Sequence, residues 1–131
     1  MEVVPEESVE RTEAVDGVHL KLLAGGEEEN VQHFEIEPGA TVPEHDHHHE
    51  QVGYVLEGTL TFLVDGEEHD VGPGDSYHLA GGETHAAENR GEETVVGLSV
   101  LVNLLQFLWL DAVYAAVLLV AANEVWAVVL A

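Results

Sequence analysis

Large apolar residues at Leu60, Phe62 and Val64 alternate with Thr59 and Thr61, and only Leu63 breaks the pattern. A period of two is what a half-buried strand requires, because successive side chains leave opposite faces of an extended chain. Short runs of this kind recur at residues 19–23, 31–37, 41–47, 51–56, 59–64, 69–71, 76–79 and 84–88. Between them stand Gly25-Gly26, Pro38-Gly39, Glu57-Gly58, Asp65-Gly66, Gly72-Pro73-Gly74 and Gly81-Gly82, dipeptides and tripeptides that reverse a chain. Asp65-Gly66, flanked by two strand-like runs, predicts a two-residue hairpin. Many short strands at even spacing suit a sandwich or a closed barrel, which also removes exposed sheet edges. No internal repeat is visible.

The pattern changes after Glu93. Residues 94–131 carry two charges, Asp111 and Glu124. Residues 94–101 serve as a closing strand, and residues 102–122 then read as an apolar helix containing Trp109 and Tyr114. At about 100° per residue, Asn103, Gln106, Asp111 and Tyr114 gather into one polar stripe, so such a helix must be buried nearly all round. Packing between two subunits, entry into a bilayer as a span of about 20 residues, or a slipped reading frame would each account for it. Asp111 at mid-helix, at about 2.5–3.5 kcal/mol on insertion scales, and the lack of Lys or Arg flanks argue against the bilayer. The chain thus divides into an N-terminal arm or edge strand (1–18), a barrel (19–101) and an apolar helical tail (102–131). A homodimer is expected, with membrane contact through 102–122 as the competing role of the tail.

Charge narrows the partners. Twenty-six Asp and Glu stand against Arg11, Lys21 and Arg90, for a formal net charge of −23. Binding a phosphate backbone or anionic headgroups needs Lys and Arg to displace counterions, so nucleic acid is excluded as a partner. Self-repulsion of this size is relieved by salt, which points to a halophilic, salt-rich cytoplasm. The absence of cysteine removes disulfides and thiolate metal sites, leaving His, carboxylate and amide ligands. The acidic start has no basic and apolar leader, so a cytoplasmic location is expected.

Seven of the nine histidines fall between His45 and His85, four of them within residues 45–49. On an extended strand His45 and His47 share a face and can converge on one ion. Their setting is specific. Gly39, five residues, His45, one residue, His47, three residues, Gln51, six residues and Gly58 resemble the first motif of the cupin family. Fifteen residues later, Gly74, five residues, Ala80, one residue, Gly82, two residues, His85, three residues and Asn89 resemble the second, with Ala80 in place of its proline. The resemblance covers roughly residues 34–89. It implies an all-β fold, the cupin-type double-stranded β-helix (jelly-roll) barrel, here with an added apolar C-terminal helix. It also implies one divalent transition metal, Mn, Fe, Zn, Ni or Cu, on His45, His47, Gln51 and His85.

Gln51 departs from the family's usual Glu. Three imidazoles and an amide leave a divalent ion its full charge, which favours anionic, carboxylate-bearing ligands but weakens the hold on the metal. Glu50, on the opposite strand face, is a poor substitute. Tyr77 and His78 are the candidate catalytic side chains, since either could line the cavity. His48 and His49 read as a solvated turn, His19, His33 and His69 as partly exposed strand residues, and Leu60, Phe62 and Tyr54 as core. These features predict a metal-dependent enzyme of isomerase or lyase type acting on a small oxygen-rich molecule such as a sugar acid, diol or keto acid. The run HDHHHEQVGYVLEG also resembles small single-domain cupins that act on uronate sugars. A dioxygenase using iron or copper, and a non-enzymatic ligand-binding domain, are the alternatives.

Overall fold

The computed structural model describes residues 1–46 and 49–102. Among them a single 3₁₀ turn (Glu6–Ser8) is followed by ten strands and no α-helix. The strands are β1 (Thr12–Val15), β2 (Val18–Gly25), β3 (Glu29–Ile36), β4 (Thr41–His45), β5 (Gln51–Glu57), β6 (Leu60–Val64), β7 (Glu67–Val71), β8 (Ser76–Leu79), β9 (His85–Glu88) and β10 (Val95–Val102). They form a six-stranded sheet in the order β1-β2-β3-β10-β5-β8 and a four-stranded sheet in the order β4-β9-β6-β7, with antiparallel pairing throughout. The chain crosses repeatedly between the sheets, so strands far apart in sequence face one another.

The predicted runs become these strands with small shifts at their ends. The hairpin between β6 and β7 turns on Asp65 and Gly66, both at positive φ (49° and 79°), the pairing that matches the twist of two-residue hairpins. Val102, read from sequence as the first residue of an apolar helix, is instead the last residue of β10, paired with Glu29. The rest of that expected helix lies outside the described residues, as do His47 and His48. Among the described residues no helix is long and apolar enough to cross a membrane.

Strand register stacks the inward side chains in rows. Val18, Ile36 and Val95 make one row, and Leu20, Phe34, Gly97 and Val55 the next. Both belong to the apolar core between the sheets, with Leu60, Phe62, Val71, Leu79 and Ala87 supplied by the other elements. One step further along the barrel, Leu22, Gln32, Ser99, Gly53 and Tyr77 lie side by side. Polarity thus rises toward one end of the interior, because Gln32 and Ser99 occupy positions that the alternation turns inward.

The arm packs against the six-stranded sheet. Strand β1 pairs with β2, and Glu6 of the 3₁₀ turn reaches His33 Nε2 at 2.7 Å and Lys21 Nζ at 3.8 Å. His19 and His33, expected to be partly exposed, are therefore buried: carboxylates of the arm and of Glu37 cover them. His69 is exposed beside Glu67.

Candidate metal centre and interior polar cluster

The two histidine-bearing motifs are joined at their far ends. The Gly39 N–H donates to the Asn89 carbonyl at 2.8 Å, and the Asn89 N–H donates to the Ala40 carbonyl at 3.0 Å. Asn89, only 1% exposed, donates its amide Nδ2 to the carbonyls of Ile36 and Glu93, both at 2.8 Å, and accepts from the Gly91 N–H at 3.0 Å. A buried amide satisfied on both sides is a structural pin: this one ties the end of β9 to the end of β3 and to the turn at 91–93, while the Asn89 backbone starts the register between β4 and β9.

That register carries a bulge. Val42 lies opposite Ala87, but the pairing then slips so that His45 lies opposite His85. Without the slip His45 would face Thr84, since one residue of offset exchanges the two faces of a strand. The two imidazoles meet edge to face with centroids 4.4 Å apart and planes at 65°. His85 is buried, 3% exposed. His45 Nδ1 lies 2.8 Å from the Pro43 carbonyl, and His85 Nδ1 lies 2.9 Å from the Glu83 carbonyl. A carbonyl only accepts, so each Nδ1 carries the proton and each Nε2 presents its lone pair. This is the tautomer that a metal-ligating histidine adopts when a backbone oxygen orients it.

Gln51 opens β5 on the other sheet. Its amide Nε2 donates to Ser99 Oγ at 3.2 Å, which leaves the amide oxygen as the atom able to meet a cation. Ser99 is 1% exposed and its hydroxyl also bonds the Tyr77 hydroxyl at 2.8 Å. Tyr77 reaches Ser99 by lying flat across Gly53, where any Cβ would collide with the ring, and its other side packs on Phe62 at a centroid distance of 4.7 Å. Burial pushes the Tyr77 phenol above its ordinary pKa, outweighing hydrogen bonds from Ser99 and Gln51 that pull it down.

The structure therefore brings His45 to His85, and Gln51 to Tyr77, while His47 lies outside the described residues. It separates the two candidate catalytic side chains. Tyr77 faces the interior, whereas His78 stands on the outer face, 2.9 Å from Glu50. Leu60 and Phe62 lie in the core, but Tyr54 is exposed on the outer face of β5. Ser99 and Gln32 were not singled out from sequence. The signal was present in β10, where inward positions read Val95, Gly97, Ser99 and Leu101, with one hydroxyl among small and apolar groups.

Glu13, His19 and Glu37 form a second group of potential ligand atoms, all within 4.8 Å of one another. His19 Nε2 already bonds Glu37 at 2.8 Å, so a hydrogen bond accounts for this cluster. Each of the three Lys and Arg side chains is also committed at the surface: Arg11 to Glu35, Lys21 to Glu6, and Arg90 to Glu68 and Glu88.

Comparison with known proteins gives concordant results. The family model for the cupin domain matches residues 32–101. The polyketide synthase protein TcmJ of Streptomyces glaucescens is 37% identical over 60 residues, 45% of this chain and 40% of that protein, so the chain spans well under half the length of this relative. The polyketide cyclase RemF of Streptomyces resistomycificus superposes with a TM-score of 0.71 at 25% identity, covering 78% of this chain and 79% of that one. A predicted oxalate decarboxylase of Thermotoga maritima does so with a TM-score of 0.67 at 25% identity, covering 77% and 98%.

Proposed function

The chain belongs to the cupin family, and from that premise we propose that it is a metal-dependent enzyme acting on a small oxygen-rich molecule. Support comes first from His45 and His85, rings in contact and each Nδ1 tied to a backbone carbonyl, the orientation that a metal-ligating histidine takes. In this reading His45, His47, Gln51 and His85 hold one divalent transition metal. When bound, such an ion supplies Lewis acidity toward a carbonyl or vicinal oxygens. Neutral ligands suit an anionic substrate, which finds no uncommitted Lys or Arg among the described residues.

The proton work falls to Tyr77. Burial holds its pKa above the ordinary value, so the phenol stays neutral and can donate a hydrogen bond to a substrate oxygen. Ser99 and Gln51 hold that hydroxyl in place, and Phe62 limits its swing. His78, paired with Glu50 on the outside, takes no part. Isomerase or lyase chemistry on a sugar acid, diol or keto acid fits these groups, and relatives named as a polyketide cyclase and a predicted oxalate decarboxylase share the theme of oxygen-rich substrates. We further read the chain as a cytoplasmic homodimer. Val52, Tyr54, Leu56 and Val100, exposed on the adjacent strands β5 and β10, form an apolar patch suited to a second copy.

Elemental analysis of purified variants tests the metal assignment. His47→Ala and His85→Ala should lose the metal, while His33→Ala, altered at a buried position paired to Glu6, should keep it. Equal metal content in all three would contradict the assignment.

A further inference from the structure

We propose that Asn30 and Gln32 form a substrate-orienting wall inside the barrel and select a polyhydroxylated acid over a simple keto acid. The inference rests on the metal-dependent reading above and names the substrate class for that site.

Both residues stand on the inward face of β3, two positions apart and ahead of Phe34 and Ile36 in the core. Gln32 is 6% exposed. Its amide Nε2 and the Asn30 Oδ1 are buried without a hydrogen-bond partner. Buried polar groups are nearly always paired, so two orphaned amide atoms on one strand face call for a partner that the chain does not supply.

Their neighbours within the sheet cannot serve. Gln32 lies between Leu22, which has no polar atom on its side chain, and Ser99, whose hydroxyl is engaged by Gln51 and Tyr77. Asn30 lies between Leu101 and Gly25, and an added Cβ at Gly25 would come 2.9 Å from the Asn30 Cβ. For Gln32 the remaining direction is the space between the sheets, while half-buried Asn30, at the end of the same face, also borders a groove beside the β2–β3 turn with Gly25, Gly26 and Val31. Gln32 shares its row with Ser99 and Tyr77, whose hydroxyls bond each other, and Ser99 accepts from Gln51.

The two orphans differ in kind: Gln32 offers a donor and Asn30 an acceptor. A hydroxyl group answers both, since it accepts and donates, whereas a ketone only accepts. With every Lys and Arg ion-paired at the surface, a ligand carboxylate is left to the metal and neutral donors, and the hydroxyls beyond it are left to Asn30 and Gln32.

The test uses the full chain loaded with Mn²⁺, with D-glucuronate as probe and pyruvate as the hydroxyl-free control, for wild type, Gln32→Met and Asn30→Leu. Metal content should stay at one ion per chain in all three. Without metal, both variants should melt at or above the wild-type temperature, because an unpaired buried amide has been removed. Glucuronate affinity should fall about tenfold in each variant, the loss of one hydrogen bond, while pyruvate affinity changes less than about twofold. A drop in melting temperature of the metal-free variants would show that the amides have protein partners and would overturn the inference. So would equal glucuronate affinity in all three proteins, or no glucuronate binding by a metal-loaded wild type. A wild type that takes up no metal would overturn the underlying reading as well, which keeps the two failures apart.

Discussion

Gly53 is the position on which the interior cluster depends most directly. The Tyr77 ring lies across it, and a Cβ there would fall within 3.0 Å of Cζ, Oη and Cε1 of that ring. Ordinary carbon contacts need about 3.5–4.0 Å, so Gly53→Ala forces the ring to move. Phe62 blocks retreat on the opposite side, at a centroid distance of 4.7 Å. Swinging out instead breaks the 2.8 Å bond between the Tyr77 and Ser99 hydroxyls. Overpacking of this kind and a lost buried hydrogen bond together cost roughly 2–4 kcal/mol, on the order of 10–20 °C in melting temperature for a domain of this size. Thermal unfolding followed by near-ultraviolet circular dichroism at fixed high salt reads both the stability and the tyrosine environment. Repeating the substitution in a Tyr77→Ala background isolates the cause, since a clash with the ring disappears when the ring does. If Gly53→Ala costs the same in both backgrounds, or melts with the wild type, the account of Tyr77 held flat over Gly53 is refuted.

Three further outcomes follow from other features. Because burial raises the Tyr77 pKa, its neutral form favours folding; that contribution is complete below the ordinary tyrosine value of about 10 and is lost as pH rises through the raised folded value. Metal-free wild type should therefore lose stability above about pH 10 more steeply than Tyr77→Phe, and parallel profiles in denaturant titrations would count against the buried phenol. Gln51→Glu places a carboxylate where the amide meets the ion and should tighten metal binding about tenfold or more, given the worth of one added charge at close range; unchanged affinity in chelator competition would remove Gln51 from the ligand set. With a net charge of −23, unfolding midpoints should climb between 0.1 M and 1 M KCl, as the Debye length shrinks from about 10 Å to about 3 Å. A flat salt profile would argue against the halophilic reading.

Sequence alone determined the strands, the Asp65-Gly66 hairpin and the spacing of both histidine motifs, because these depend on alternation, turn chemistry and residue counting, all of which are local. His45 and His85 were nameable for the same reason. Only the tertiary structure decided that a bulge in β4 sets them opposite each other, since a slip of register leaves no mark in the composition of either strand. It also decided between Tyr77 and His78: β8 is the last strand of its sheet, and alternation separates its two faces without saying which one meets the core. The burial of His19 and His33 came from carboxylates that the fold lays over them, Glu37 with the nearer Glu13 on His19 and Glu6 of the arm on His33. The cluster of Gln32, Ser99, Gly53 and Tyr77 was hidden for the same physical reason: its members come from four separate strands, and hydrogen-bonded register, not chain order, makes them neighbours.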